Sequence, residues 1–224
     1  MDGTGILFEP LLRALPETIR PIVVSYPPDL PLGYDDLLPI VLDALPRDPF
    51  VLVGESFSGP LALRAAAARP AGLVGVVLVA TFVTSPIPRF VRPFLVAPLF
   101  DLAPYRLELT LLAGLDASPE LARLLRKARA KVPGAVLAER VRAILDVDAT
   151  DALRECAAPI LYLRGTRDRL VGRSSLRAIR RARLDVESVS LDAPHLLLQT
   201  RPREASEAIL ATTAFRTPRP ARSS

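Results

Sequence analysis

The order of elements predicts an α/β protein, a mostly parallel sheet with helices on both faces and one helical insertion. Three observations carry this. Short apolar runs of strand length alternate with longer segments whose apolar residues recur at helical spacing. The alternation lapses once, between Thr81 and Ala158, and then resumes as strand, helix, strand, helix. Strands joined through helices pair in parallel, because a parallel neighbour needs a long crossover. The 224 residues suffice for one full core, and 50% hydrophobic residues with a mean hydropathy of +0.30 fit a globular chain.

Taken in order, Met1-Asp2-Gly3-Thr4-Gly5 is a glycine-rich turn. It leads into an amphipathic helix from Ile6 to Leu15, with Leu7, Phe8, Leu11, Leu12 and Leu15 on one stripe. Ile22 to Ser25 reads as a short buried strand, and Tyr34 to Leu45 as a helix. Phe50 to Val53 is the next strand; Pro60 to Ala68 is a strong helix former that ends before Pro70. Leu73 to Ala80 is a further strand. Residues 81–158 then form the insertion. It opens with a segment broken by Pro86, Pro88, Pro93, Pro98 and Pro104 and continues as helices, one of them started by Ser118 as N-cap with Pro119 in the first turn. The sheet resumes with Pro159 to Arg164, a helix from Arg173 to Arg183, a strand from Val186 to Leu191 and a closing helix from Arg203 to Phe215. The expected division is residues 1–80 and 159–216 as an α/β core, 81–158 as a helical cap, and 217–224 as a disordered tail.

Composition narrows the function. The net charge of +5 and pI of 10.0 would suit nucleic acid, and Arg173, Arg177, Arg180, Arg181 and Arg183 do cluster. Acidic residues are nearly as numerous, aromatics are only 5%, and no DNA- or RNA-binding motif is present, so the cluster reads as a solvated helix face. No apolar run approaches the roughly 18 residues that span a bilayer, and the N-terminus lacks the basic start and apolar core of a signal peptide. A cytoplasmic protein without stable membrane insertion is expected. Cys156, the lone cysteine, has no internal disulfide partner and no companion for a metal site, so no metal and no cofactor are expected.

The chemistry centres on Gly54-Glu55-Ser56-Phe57-Ser58-Gly59, where an apolar strand breaks at a serine and turns at once into a helix. Such a junction holds the serine side chain out at the strand's end, beside helix N–H groups that favour a developing negative charge. It matches the nucleophile elbow G-x-S-x-G except that Ser58 stands at the second glycine position. The competing role for Ser56 is that of a helix-capping serine. A nucleophilic serine needs a base, and the base needs an orienting acid. The single histidine, His195, follows the last strand, on the edge where Ser56 lies. Asp168 follows the strand that ends at Gly165 and reaches the same edge; its other possible roles are an N-cap or an ion pair with Arg167 or Arg169. Asp192, three residues before His195, is the competing acid. The order Ser56, Asp168, His195 favours Asp168. Phe90, Phe94, Leu95, Leu99 and Phe100 are candidates to line an acyl pocket, or else form the insertion's own core.

These motifs, with Leu163-Arg164-Gly165-Thr166-Arg167-Asp168, Ala193-Pro194-His195 and Asp2-Gly3-Thr4-Gly5, span nearly the whole chain. Together they resemble an α/β-hydrolase fold protein of the small, capped esterase kind. The resemblance implies a Ser56, Asp168, His195 triad acting on a small-molecule carboxylic ester through an acyl-enzyme. It also implies an oxyanion hole from the backbone N–H of Phe57 and of Met1, since Met1 takes the place of the residue after the family's His-Gly or Pro-Gly turn. On that alignment a strand between Ile22–Ser25 and Phe50–Val53 is missing. The expectation is that the fold is N-terminally truncated, either because the true start lies upstream or because this form is damaged, and that the 224-residue form is poorly stable and at most weakly active. A lyase, a C–C hydrolase or a cofactor-free haloperoxidase would use the same triad, and an inactive hydrolase-fold remnant or binding protein is the alternative outside catalysis.

Overall fold

The computed structural model describes residues 1–212. Four strands, β1 (Phe50–Glu55), β2 (Leu73–Val79), β3 (Ile160–Gly165) and β4 (Glu187–Leu191), form one sheet in the order β1-β2-β3-β4, every pair parallel. All four C-terminal ends therefore lie along one edge. The register sets Val53 beside Val77, Val77 beside Leu161, and Leu163 beside Val189. β2 is central, and its alternate side chains enter two different cores.

On one face, Val76 and Leu78 of β2 pack with Ile160 and Tyr162 of β3. Helices α3 (Ser58–Ala67), α8 (Thr150–Glu155) and α9 (Arg173–Ala182) cover them through Leu63, Leu153 and Ile179. On the other face, Val77, Val79, Leu161 and Leu163 pack against Leu11 of α1 (Glu9–Ala14), Leu197 and Leu198 of α10 (Leu197–Thr200) and Ala205 of α11 (Pro202–Ala211). A third cluster joins Leu37 and Val41 of α2 (Tyr34–Ala44) to Leu61 and Ala65 of α3, with Tyr34 stacked on Phe57 at 4.6 Å between ring centres. Both faces of a parallel sheet must be covered, and here they are.

The β2–β3 connection carries α4 (Ala97–Asp101), α5 (Tyr105–Ala113), α6 (Pro119–Arg129), α7 (Gly134–Asp146) and α8. Ser118 caps α6 as expected, its Oγ accepting from Leu121 N–H at 3.1 Å. The connection leaves and rejoins the sheet through a narrow neck. Thr84 bridges Asp148, Ala149 N–H donates to Val83 O at 2.8 Å, and the buried Tyr162 hydroxyl donates to Thr81 O at 2.7 Å.

Two expectations need correction. Ile22–Ser25 is not a strand: the segment is extended but joins no ladder, Ile22 and Val23 are exposed, and its nearest backbone bond runs from Tyr26 N–H to Gly3 O. A β-branched run becomes a strand only when its backbone lies in register against a sheet edge, and this run does not pair with the outer edge of β1, which is bonded to β2 alone among the described residues. Of the five candidates for an acyl pocket or for the insertion's own core, Phe90, Phe94 and Leu99 are exposed, while Leu95 and Phe100 take the second role and pack against the connection's own helices through Val141, Leu145, Val132 and Val136. The prolines break residues 88–104 into short turns with too little face to turn every apolar side chain inward. The closing helix is described to Ala211; the rest of the expected span to Phe215 and the tail at 217–224 fall outside the described residues.

The neck gives a direct test. Tyr162→Phe keeps the ring and leaves the Thr81 carbonyl unpaired in a buried site. It should lower the unfolding free energy by about 1 to 3 kcal/mol, read from urea denaturation; an unchanged midpoint would mean the bond adds nothing.

Candidate functional site

Ser56 follows the last residue of β1 and precedes α3, and its backbone is left-handed, with φ of 53°. A non-glycine residue avoids that region unless its surroundings hold it there. Two bonds do so: Ser56 N–H donates to Val79 O at 2.9 Å, and Thr81 Oγ1 donates to Ser56 O at 2.5 Å. Tight packing of the flanking glycines does the rest. A Cβ on Gly54 would lie 2.6 Å from Ser58 O, and one on Gly59 would overlap the Thr81 side chain. So Gly59, not residue 58, is where the turn has no room, and Ser58 fits with its Oγ 3.1 Å from the Tyr26 hydroxyl.

The structure brings Ser56, His195 and Asp168 together. His195 Nε2 is 2.9 Å from Ser56 Oγ, and His195 Nδ1 is 2.9 Å from Asp168 Oδ2. Asp168 reaches this point because β3 ends at Gly165 and the chain folds back, with Leu170 and Val171 N–H donating to its Oδ1 at 2.8 and 2.9 Å. His195 is almost fully buried, in a loop whose next residue bonds the connection: Leu196 N–H donates to Leu112 O at 2.9 Å. Asp192, the competing acid, faces elsewhere and accepts from Arg167 Nε at 2.7 Å. Arg167 also grips Asp116 of the connection, and Arg201 joins them at 3.0 Å. That network accounts for Arg167, which is therefore not the partner of Asp168.

Of the residues named for an oxyanion hole, Phe57 directly follows Ser56, and the Met1 amine lies close enough to Glu55 to feel its charge. Phe57 is buried as the N-cap of α3. Met1 has its amine enclosed, and burial lowers that amine's pKa against the opposing pull of Asp2 and Glu55. Of two clefts, only the smaller reaches a residue of the triad positions, Asp168. One of 380 Å³ is bounded by Thr166, Arg167, Asp168 and Pro194 below and Leu111 and Leu115 above; the larger, 770 Å³, lies within the connection between Tyr105, Glu108, Arg126 and Arg129. None of the five apolar candidates lines either. Among the described residues no group of three His, Cys, Asp or Glu side chains gathers to hold a metal.

Two functional-site neighbours were not singled out from the sequence. Glu55, next to Ser56, accepts from Gln199 Nε2 at 2.8 Å and Leu198 N–H at 3.4 Å, tying β1 to the helix after His195. Arg140 of α7 is fully buried and donates to the carbonyls of Met1, Asp2 and Pro27. The first sits at a motif position that accepts any residue, and the second is one arginine among many on helices.

Burial pushes the Glu55 carboxyl above the usual carboxylate range, with the Gln199 bond and His195 pulling the other way. Its folded pKa thus exceeds its unfolded one, so its favourable contribution is complete at low pH and is lost as pH rises through the folded value. Gln199 Oε1 is buried without a partner, and a protonated Glu55 or a glutamine there brings a donor next to the Gln199 amide that the carboxylate lacks. Glu55→Gln should therefore gain stability relative to the parent as pH rises from below the free carboxylate value of about 4 to above it. Thermal melts across that range check it; a difference independent of pH would show that Glu55 pays no such penalty.

The fold recurs in solved structures. A bromoperoxidase from Bacillus anthracis is 18% identical, with a TM-score of 0.76 over 92% of this chain and 86% of that one. A hydrolase from Oleispira antarctica is 15% identical, with a TM-score of 0.77 over 94% and 86%. The enol-lactonase from Burkholderia xenovorans LB400 is 18% identical, with a TM-score of 0.71 over 94% and 87%. At these identities the likeness shows the fold alone. No curated protein matches the sequence. A family model described as the alpha/beta hydrolase family matches residues 3–208, and the chain belongs to that family.

Proposed function

We propose that the protein is a serine hydrolase that cleaves small carboxylic esters through an acyl-enzyme, with Ser56 as nucleophile, His195 as general base and acid, and Asp168 as the group that orients the imidazole. The observation that carries this reading is the pair of 2.9 Å contacts from the two His195 ring nitrogens to Ser56 Oγ and Asp168 Oδ2. The named hydrolase and enol-lactonase among the structural relatives support acyl chemistry on this fold.

In this mechanism Asp168, held by two backbone N–H groups, accepts a hydrogen bond from His195 Nδ1–H, which keeps that proton on Nδ1 and leaves Nε2 as the basic nitrogen. Ser56 Oγ adds to the ester carbonyl as its proton passes to Nε2. The carbonyl oxygen becomes an oxyanion, for which the N–H of Phe57, at the start of α3, and the nitrogen of Met1 are the proposed donors. Collapse breaks the bond to the alcohol oxygen, which takes the proton from Nε2. Water then enters, gives its proton to Nε2 and adds to the acyl carbon; collapse releases the acid and returns the proton to Ser56. The β2–β3 connection, residues 81–158, acts as a cap over the site. Its Leu112 carbonyl and Asp116 carboxylate hold the loops that carry His195 and Asp168.

A bromoperoxidase among the relatives keeps a second use of the same triad in view, in which the acyl-enzyme meets hydrogen peroxide rather than water. Competition between the two nucleophiles on one ester separates these products.

Ser56→Ala should remove turnover of p-nitrophenyl acetate, with kcat down by about 10⁴-fold or more, and block labelling by a fluorophosphonate. Turnover retained by that variant would take Ser56 out of the mechanism. Asp168→Asn should leave the melting curve near that of the parent while kcat drops by about 10⁴-fold; an equal loss from Asp192→Asn but not from Asp168→Asn would reassign the acid.

A further inference from the structure

We propose that Arg140 is a positioning residue for the oxyanion side of the site, a guanidinium through which the cap holds the Met1–Asp2 backbone beside the nucleophile. The inference rests on the reading of the site given under Proposed function. Arg140 projects from α7, yet it is fully buried. Nη1 donates to Met1 O at 2.7 Å and to Asp2 O at 2.9 Å, and Nη2 donates to Pro27 O at 2.8 Å. All three acceptors are backbone carbonyls, from two segments remote in sequence from α7 and from each other.

A desolvated guanidinium is costly, and the cost is offset in part by the charge-assisted bonds of its two Nη atoms to rigid acceptors, Nε being buried without a partner. Carbonyls hold position better than a carboxylate on a flexible side chain, so the fork fixes peptide planes. Fixing the Met1 carbonyl fixes its Cα and narrows where its nitrogen can lie. The same fork holds Pro27, next to Tyr26, whose N–H donates to Gly3 O at 2.7 Å and whose hydroxyl meets Ser58 Oγ at 3.1 Å. Arg140, the turn at residues 1–3, Tyr26 and the helix behind Ser56 thus form one connected unit. There is no slack in it: a Cβ on Gly3 would lie 3.1 Å from both Arg140 Nη1 and Tyr26. Because the fork comes from the cap, seating the cap and ordering the oxyanion donor become one event.

This predicts a loss in kcat without loss of substrate binding. Arg140→Met, which fills similar space without donors, should lower kcat on p-nitrophenyl butyrate by about a hundredfold and change KM by less than about twofold. The Ki of an alkyl boronic acid, which mimics the tetrahedral intermediate, should rise by the same factor as kcat falls. In Arg140→Ala, tens of millimolar methylguanidinium should restore part of kcat where tetramethylammonium at equal ionic strength does not. Should the methionine variant fail to fold, Arg140→Lys carries the test, since one ammonium cannot occupy both prongs, and the same kcat deficit is expected. An active parent with unchanged kcat and boronate Ki in a folded Arg140 variant overturns this inference alone, as does a rise in KM with kcat intact. A parent that neither hydrolyses the ester nor labels with fluorophosphonate at Ser56 overturns the functional reading, and this inference with it.

Discussion

The left-handed backbone at Ser56 is the constraint on which the site depends. A non-glycine residue in that region costs about 1 to 3 kcal/mol, and the sheet and its neighbours supply what holds it. Val79 accepts the Ser56 N–H, Thr81 donates to its carbonyl, and Gly54 and Gly59 let α3 come within contact distance of β1 and of Thr81. Interior placement of β2 explains why the turn is stable: the residues that clamp it lie at and just past the end of a strand whose Val76 to Val79 are fully buried. The same stretch, through Thr81 O and the Tyr162 hydroxyl, begins the neck of the β2–β3 connection. Ser56 and the connection are therefore fixed to the same few residues.

From that point the parallel sheet does the rest of the positioning. β1, β3 and β4 all end at one edge, so a serine, an aspartate and a histidine far apart in sequence arrive within hydrogen-bond distance. Two acids reach the edge, and ion pairing sorts them. Arg167 takes Asp192 and Asp116, while Asp168 is turned inward by the Leu170 and Val171 N–H groups. The choice between acids is made by what the neighbouring arginine can reach, not by distance along the chain.

That sorting marks where the sequence is informative. The elbow and the chain order of Ser56, Asp168 and His195 are local patterns at the ends of predictable strands, and the alternation of apolar runs suffices to place those strands. Ile22–Ser25 misleads because a β-branched run records a preference for a pleated surface, while a strand also needs an edge beside it. Phe90, Phe94 and Leu99 mislead for a related reason: apolar character says that burial is favourable, but short proline-broken helices do not provide enough inner face. Arg140 could not be found at all. Its partners are Met1, Asp2 and Pro27, and an arginine on an amphipathic helix reads as solvated until the fold brings carbonyls around it.

The polar groups around the nucleophile share one physical device. Asp168 is held by backbone N–H groups, the two Nη atoms of Arg140 by backbone carbonyls while its Nε stays unpaired, and Glu55 by a backbone N–H and one amide side chain. Two opposite charges on flexible side chains can satisfy each other in many arrangements, so an ion pair fixes little. A charge satisfied by peptide groups is held as tightly as the element that carries them. His195 gains its orientation in this way from the turn after β3, and the Met1–Asp2 backbone gains its own from a helix of the connection. Precision at the site is thus drawn from the ends of secondary-structure elements, and a change that moves one of those ends reaches the chemistry without touching a reacting atom.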